Sequence, residues 1–306
     1  MSSPIPEAPT APESPPAAKP AKLLSNRRLL WLGIVLYLAL IFGVMLWRGI
    51  SIEPQWVVLA LLLVAVALGR GRAFLTDWLP FLVLFFGYEI MRGFAGKAGF
   101  PVHDVSGLER ALFAGGLPTL SLQHWFYDPA RIAIWDWVGM VLYFLHFPLP
   151  IVVGFVFWVN DRGHYWRFVS ALLLMSFVSF VTYLFFPTAP PWIANHADGV
   201  HKVINETVEK WGVDYIVSPL YSRLNPNQFA AFPSLHAAFP ALAAIYAWSR
   251  YRLLAIGLIL YTACIWLAIV YLGEHYFVDA LAGLGYALAA TVVVNLVAAR
   301  RARPVS

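Results

Sequence analysis

Apolar residues in this chain come in long blocks. Leu29 to Trp47 runs almost without a polar side chain, and further blocks cover about 54–69, 76–96, 132–158, 167–186, 232–249, 252–271 and 275–297. A helix that crosses the ~30 Å hydrocarbon core of a bilayer needs about 20 mostly apolar residues. In lipid, each backbone amide must also be satisfied within the protein, which leaves the α-helix as the natural spanning form for such blocks. The pattern therefore predicts an all-α, polytopic membrane helical bundle of about eight transmembrane helices, with six as the lower bound. The block at 54–69 is short and stops at Gly69, so it is the weakest of the eight.

Two long connections interrupt the blocks, at about 97–131 and 187–231. The first contains "SGLERALFAGGLPTLSLQHWFYDP", with Gly, Pro and short amphipathic pieces. The second contains "VINETVEKWGVDYIV", in which Val203, Ile204, Val208 and Trp211 recur at roughly helical spacing. Both are expected to lie along one membrane surface as interfacial helices and to roof a site between the spans.

Composition agrees. The chain is 60% hydrophobic and 12% charged, with 13 Trp and 22 Phe, against about 25% charged residues in a soluble domain. Lys and Arg are retained on the cytoplasmic side of a membrane. With the N-terminus inside, Lys19, Lys22, Arg27, Arg28, Arg70, Arg72, Arg162, Arg167, Arg250, Arg252, Arg300, Arg301 and Arg303 all fall on that side. Both termini are then cytoplasmic and the two long connections extracytoplasmic. This placement accounts for the net charge of +5 without a nucleic-acid partner, and no basic stripe interleaved with aromatics is present. Residues 1–22, Pro/Ala-rich and without large apolar side chains, read as a disordered cytoplasmic tail. The apolar run begins only near Leu29, too late for a secretory signal, so a retained first helix is expected. Residues 23–306 then form a single transmembrane domain with a catalytic core at about 167–297. The lone Cys264 reads as a small buried apolar residue, and no Cys/His spacing points to zinc. Oligomeric state is left open.

Polar groups appear where an outer connection meets a span. In "FPSLH", Ser234 is a preferred helix N-cap, and such a helix end, with its free amides and dipole, is a ready seat for phosphate. His236 follows in the first turn. In "YLGEHYFVDALAG", residues 271–283, His275 and Asp279 are four apart and share one helical face. A carboxylate that accepts a proton from one ring nitrogen leaves the other free as nucleophile or base. Gly283 continues that face and permits close approach of another helix. Counting spans from the cytoplasm puts the starts of the blocks at 232 and 275 on the same side, so both histidines and Asp279 reach one surface. Taken singly, the serine is a structural cap, the histidine a hydrogen-bonded interfacial residue, and the His/Asp pair a structural link or metal half-site. Ionisable groups at membrane depth are functional by default, and together the three favour catalysis.

"PSLH" followed by "HYFVD" and a glycine resembles the type-2 phosphatidic acid phosphatase superfamily. The branch containing inositol phosphorylceramide synthases and their bacterial relatives is the most similar part, supported by "FFPTAPPW" at 185–192. The resemblance is strongest over about 180–290 and extends from about residue 75. It implies a two-step phosphoryl transfer without metal or other cofactor. His275 would attack phosphorus, Asp279 would orient it, and His236 would serve as acid and then base. Ser234 and neighbouring amides would hold phosphate oxygens. It also implies a phospholipid donor, a lipid or glycan hydroxyl acceptor, and residence in the plasma (inner) membrane with the site extracytoplasmic.

This chain departs from the phosphatase pattern, which has an Arg six residues before the nucleophilic His and Lys and Arg ahead of a proline in the first motif. Here those places hold Ile269 and Phe186–Pro187. A cation-poor site suits a phosphodiester, with one charge, better than a monoester with up to two. Arg92 and Arg223 are the replacement candidates for binding substrate phosphate, although Arg92 is also placed to pair with Glu89. Asp136, Tyr143 and His146 share one side of their span and read as mutual polar packing; His103, His124, His164, His196 and His201 receive no role. Three functions follow in order of preference: a phosphotransferase moving a phosphorylated headgroup such as inositol phosphate, a phosphatase acting on phosphatidate or a polyprenyl diphosphate, and a transporter or scaffold.

Overall fold

The computed structural model describes residues 54–301, apart from 215–216, 219–220 and 223–224. The tail expected over 1–22 and the span expected over 29–47 lie outside the described residues, as does Arg223. The helices are α1 (Pro54–Ala67), α2 (Gly71–Ala95), α3 (Ser106–Leu112), α4 (Pro118–Phe126), α5 (Ile134–Leu145), α6 (Leu149–Asn160), α7 (Arg162–Phe185), α8 (Pro191–Ala194), α9 (Val203–Trp211), α10 (Leu235–Trp248), α11 (Arg252–Tyr271) and α12 (Phe277–Arg301). Among the described residues there is no strand, only two isolated backbone bridges that tie His103, Thr188 and Ala230 together. The protein is an all-helical integral membrane protein.

The count of eight spans is not reached among the described residues. Helices α2, α7, α11 and α12 are long and apolar enough to cross a membrane, and α5 with α6 makes a fifth if their 49° bend is one broken span. The expected span at 132–158 breaks because Pro148 and Pro150 cannot donate to the helical ladder. The expected span at 232–249 is the 14-residue helix α10, about 21 Å long at 1.5 Å per residue. Its length is not set by the bilayer because it sits inside protein: every residue except Ile245 and Trp248 is buried, and α6, α7, α11 and α12 surround it. The alanines of "LHAAFPALAAIYAW" let those neighbours approach closely. The expected span at 54–69 is likewise a 14-residue helix, α1.

At one end of the bundle the short basic connections meet. Arg70 donates to the Val159 carbonyl at 2.9 Å and lies over the Trp158 ring. Arg162 pairs with the buried Asp77, which also accepts from Trp158 Nε1 at 2.8 Å. Arg250 pairs with Asp161. At the other end lie the two long connections, with α3, α4, α8 and α9. Helix α9 buries Val203, Ile204, Thr207 and Val208, so the expected amphipathic helix forms with its apolar side inward. Leu79, Val83, Ile90, Leu260, Leu267, Val292 and Leu296 point outward, as they must to face lipid.

Candidate active site

Ser234 ends the second long connection. Its extended backbone (φ −76, ψ 113) and its Oγ, which accepts from the Ala237 amide at 3.4 Å, cap α10 and put His236 in the first turn. The amides of Leu235 and His236 belong to that turn, where the helical ladder offers no acceptor. Glycine at 283 brings the capping segment onto α12: a Cβ there would collide with the Ser234 carbonyl oxygen. Across this contact Ser234 N donates to the Asp279 carbonyl at 2.9 Å. Tyr183 fastens the same segment from α7 by donating to the Pro233 carbonyl at 2.6 Å.

The turn that carries His275 is fixed from both sides. Gly273 adopts φ 77, and a Cβ there would come within 2.6 Å of the His201 carbonyl, so only glycine fits. Gln123 of α4 donates to the carbonyls of His201 and Tyr271 at 2.9 and 2.8 Å. Glu109 of α3 is fully buried, and its two oxygens accept from the Phe277 and Val278 amides at 3.0 Å each. It caps α12 from a distant part of the chain. Burial pushes this carboxyl above its ordinary value, and the two amides partly oppose the shift.

These supports bring the two histidines into contact. His236 Nδ1 lies 3.0 Å from His275 Nε2. His275 Nδ1 faces the Ala231 carbonyl at 2.9 Å and Asp279 Oδ2 at 3.5 Å. Both are acceptors, so the Nδ1 proton is held and Nε2 carries the lone pair. Asp279, fully buried, also accepts from the Tyr276 amide at 2.8 Å. The backbone carbonyl is therefore the nearer partner of His275 and the carboxylate the farther one.

Both histidines line a cavity of about 390 Å³. Arg92, almost buried and paired with Glu89 at 2.9 Å, lines it as well. Ser234 is fully buried behind the lining, with its hydroxyl engaged in the cap. Sequence reasoning missed two charged residues that the loops deliver to the cavity, Lys202 and Glu274. Burial lowers the Lys202 ammonium below its ordinary value and raises the Glu274 carboxyl above its own; the attraction between them opposes both shifts. The reading of Tyr143 and His146 as mutual packing also missed their neighbour. Tyr143 stacks on His236 with ring centres 4.3 Å apart, and His146, at the α5–α6 break, lies at 3.9 Å. Asp136 instead joins Tyr271. The proline pair just beyond His146 was the available signal that this span stops at the site.

Known proteins are similar to this chain in sequence. A phosphoinositol dihydroceramide synthase of Bacteroides thetaiotaomicron is 32% identical over 234 residues, 69% of this chain and 73% of that protein. The inositol phosphorylceramide synthase catalytic subunit aur1 of Schizosaccharomyces pombe is 26% identical over 192 residues, 59% of this chain but only 44% of that protein. No solved structure matches. The profile of the PAP2 superfamily matches residues 103–293, a stretch that holds Glu109, both histidines and Asp279; by that match the chain belongs to the PAP2 superfamily.

Proposed function

We propose that the protein is a membrane phosphotransferase that moves a phosphorylated headgroup, inositol phosphate being the first candidate, from a phospholipid to a lipid hydroxyl acceptor such as ceramide. The observation that carries this reading is the 3.0 Å approach of His236 Nδ1 to His275 Nε2 at a cavity that also holds a buried arginine. The names of both relatives support the headgroup and acceptor classes.

In the first step His275 Nε2 attacks phosphorus and the bond from phosphorus to the diacylglycerol oxygen breaks. The protonated His236 gives its proton to that oxygen. A phosphoryl group seated between the two nitrogens requires the rings to part from their direct contact. The Ala231 carbonyl and Asp279 hold the Nδ1 proton of His275 and favour the positive charge that develops on the ring. In the second step His236, now neutral, takes the proton of the acceptor hydroxyl; that oxygen attacks phosphorus and the N–P bond breaks. Arg92 and the first-turn amides of α10 neutralise the phosphate oxygens. The basic connections at the opposite end support an extracytoplasmic site.

Purified protein is incubated with radiolabelled phosphatidylinositol and a ceramide-containing lipid extract, in parallel with His236→Ala and His275→Ala. A labelled lipid product that both variants fail to make is the expected result. Release of water-soluble label alone would place the chain among hydrolases instead.

A further inference from the structure

Lys202 occupies an unusual corner of the cavity. Its Nζ lies 4.0 Å from the centre of the Trp192 ring and 4.6 Å from that of Tyr221, and all three residues line the cavity that reaches the two histidines. Tyr221 in turn donates its hydroxyl to Glu274 Oε2 at 2.6 Å. Two ring faces backed by a carboxylate are the chemistry that recognises an ammonium group on a ligand. Here the chain's own ammonium fills that position.

Elsewhere in the lining of the same cavity two hydrogen-bonding groups remain unmatched. Glu274 is 4% exposed and Asn227 3% exposed, both line the cavity, and among the described residues Glu274 Oε1 and Asn227 Nδ2 have no hydrogen-bond partner. A buried acceptor and a buried donor left unmatched cost free energy that a ligand can recover. Hydroxyl groups, which both donate and accept, suit the two.

We propose that this cavity selects the donor headgroup: Lys202 keeps cationic headgroups out of the Trp192–Tyr221 corner, and Glu274 Oε1 and Asn227 Nδ2 bind hydroxyls of an uncharged polyol esterified to the phosphate. The inference rests on the phosphotransferase reading above. It accounts for selection between phospholipids that share the same phosphodiester and differ only beyond it.

Diacylglycerol release reports donor cleavage whatever the acceptor, so it is measured with phosphatidylinositol and with phosphatidylcholine in mixed micelles. Wild type is expected to favour phosphatidylinositol, with inositol monophosphate competing and phosphocholine failing to compete. Lys202→Met should shift the preference toward phosphatidylcholine by about tenfold, the size of one cation–π interaction. Lys202→Arg, which keeps a cation over the rings, should retain the wild-type preference. Glu274→Gln should weaken phosphatidylinositol cleavage without admitting phosphatidylcholine. A folded Lys202→Met with unchanged preference overturns the inference, as does wild type that cleaves both donors equally. If Lys202→Met does not fold, the wild-type competition decides, and equal inhibition by the two headgroup phosphates overturns the inference. Wild type that releases diacylglycerol from neither donor overturns the phosphotransferase reading and the selection built on it.

Discussion

The backbone amide of Ser234 donates to the carbonyl of Asp279 at 2.9 Å, so the segment before His236 is fastened to the helix that carries the partner of His275. This bond depends on Gly283, where a Cβ would overlap the Ser234 carbonyl oxygen. Overpacking a tight contact of this kind costs about 1–3 kcal/mol. Gly283→Ala should therefore lower the thermal stability of the purified protein by that order and reduce headgroup transfer more steeply, because the rings separate. A variant with wild-type transfer would show that the contact does not set the distance between the histidines.

Glu109 offers a second handle on the same geometry from outside the site. Its carboxylate is the acceptor for the Phe277 and Val278 amides. Glu109→Ala leaves both partly buried amides without an acceptor, at up to about 1–3 kcal/mol for each. Glu109→Gln keeps one acceptor oxygen and should lose roughly half as much. Thermal unfolding of the two variants orders them, and equal stability of wild type and Glu109→Ala would remove Glu109 from the support of α12.

His146 and Tyr143 both pack against the ring of His236, with their own ring centres 5.7 Å apart, yet neither needs to touch phosphorus. Loss of one wall lets the acid/base ring wander, and misplacement by about 1 Å can cost on the order of 100-fold in rate. His146→Ala should lower kcat by up to about that factor with KM for the donor lipid little changed. A rise in KM with kcat intact would instead assign His146 to substrate binding.

The pairing of His236 with His275 is foreseeable because it needs only local rules: a cap before one histidine, an i,i+4 carboxylate after the other, and the two expected crossings between them that return both to one face. Other features escape the same rules. Hydropathy reads α10 as a span, yet the alanine-rich helix is apolar because protein surrounds it, and a window of composition does not separate protein from lipid. Ser234 is legible as a cap, but its burial behind the cavity depends on how closely α12 approaches. Lys202 is a loop lysine like any other in the sequence; only the path from Gln123 through His201 to Gly273 carries it to the cavity. Local chemistry is written in short motifs, whereas the loops reach the site through contacts between residues far apart in the chain.

At the opposite end, Asp161 has two roles that substitution can separate. Its Oδ1 caps α7 by accepting from the His164 amide at 3.0 Å, and its Oδ2 meets Arg250. The His164 amide first, and Arg250 with it, hold the Asp161 carboxyl below its ordinary value of 3.8. A depressed value in the folded protein means that the native state binds fewer protons than the unfolded chain. The stabilisation is therefore complete above 3.8 and is lost as pH falls through the lower folded value. Asp161→Ala removes the cap and should cost about 1 kcal/mol near neutral pH. Asp161→Asn keeps a capping oxygen and loses only a partly exposed ion pair, worth less than about 1 kcal/mol. Thermal unfolding in detergent at neutral pH and near pH 3 tests the scheme: the gap between wild type and Asp161→Ala should narrow in acid, while Asp161→Asn should show the weaker pH dependence. A gap that stays constant across that range would mean that the carboxylate's charge contributes nothing to holding the two connections together.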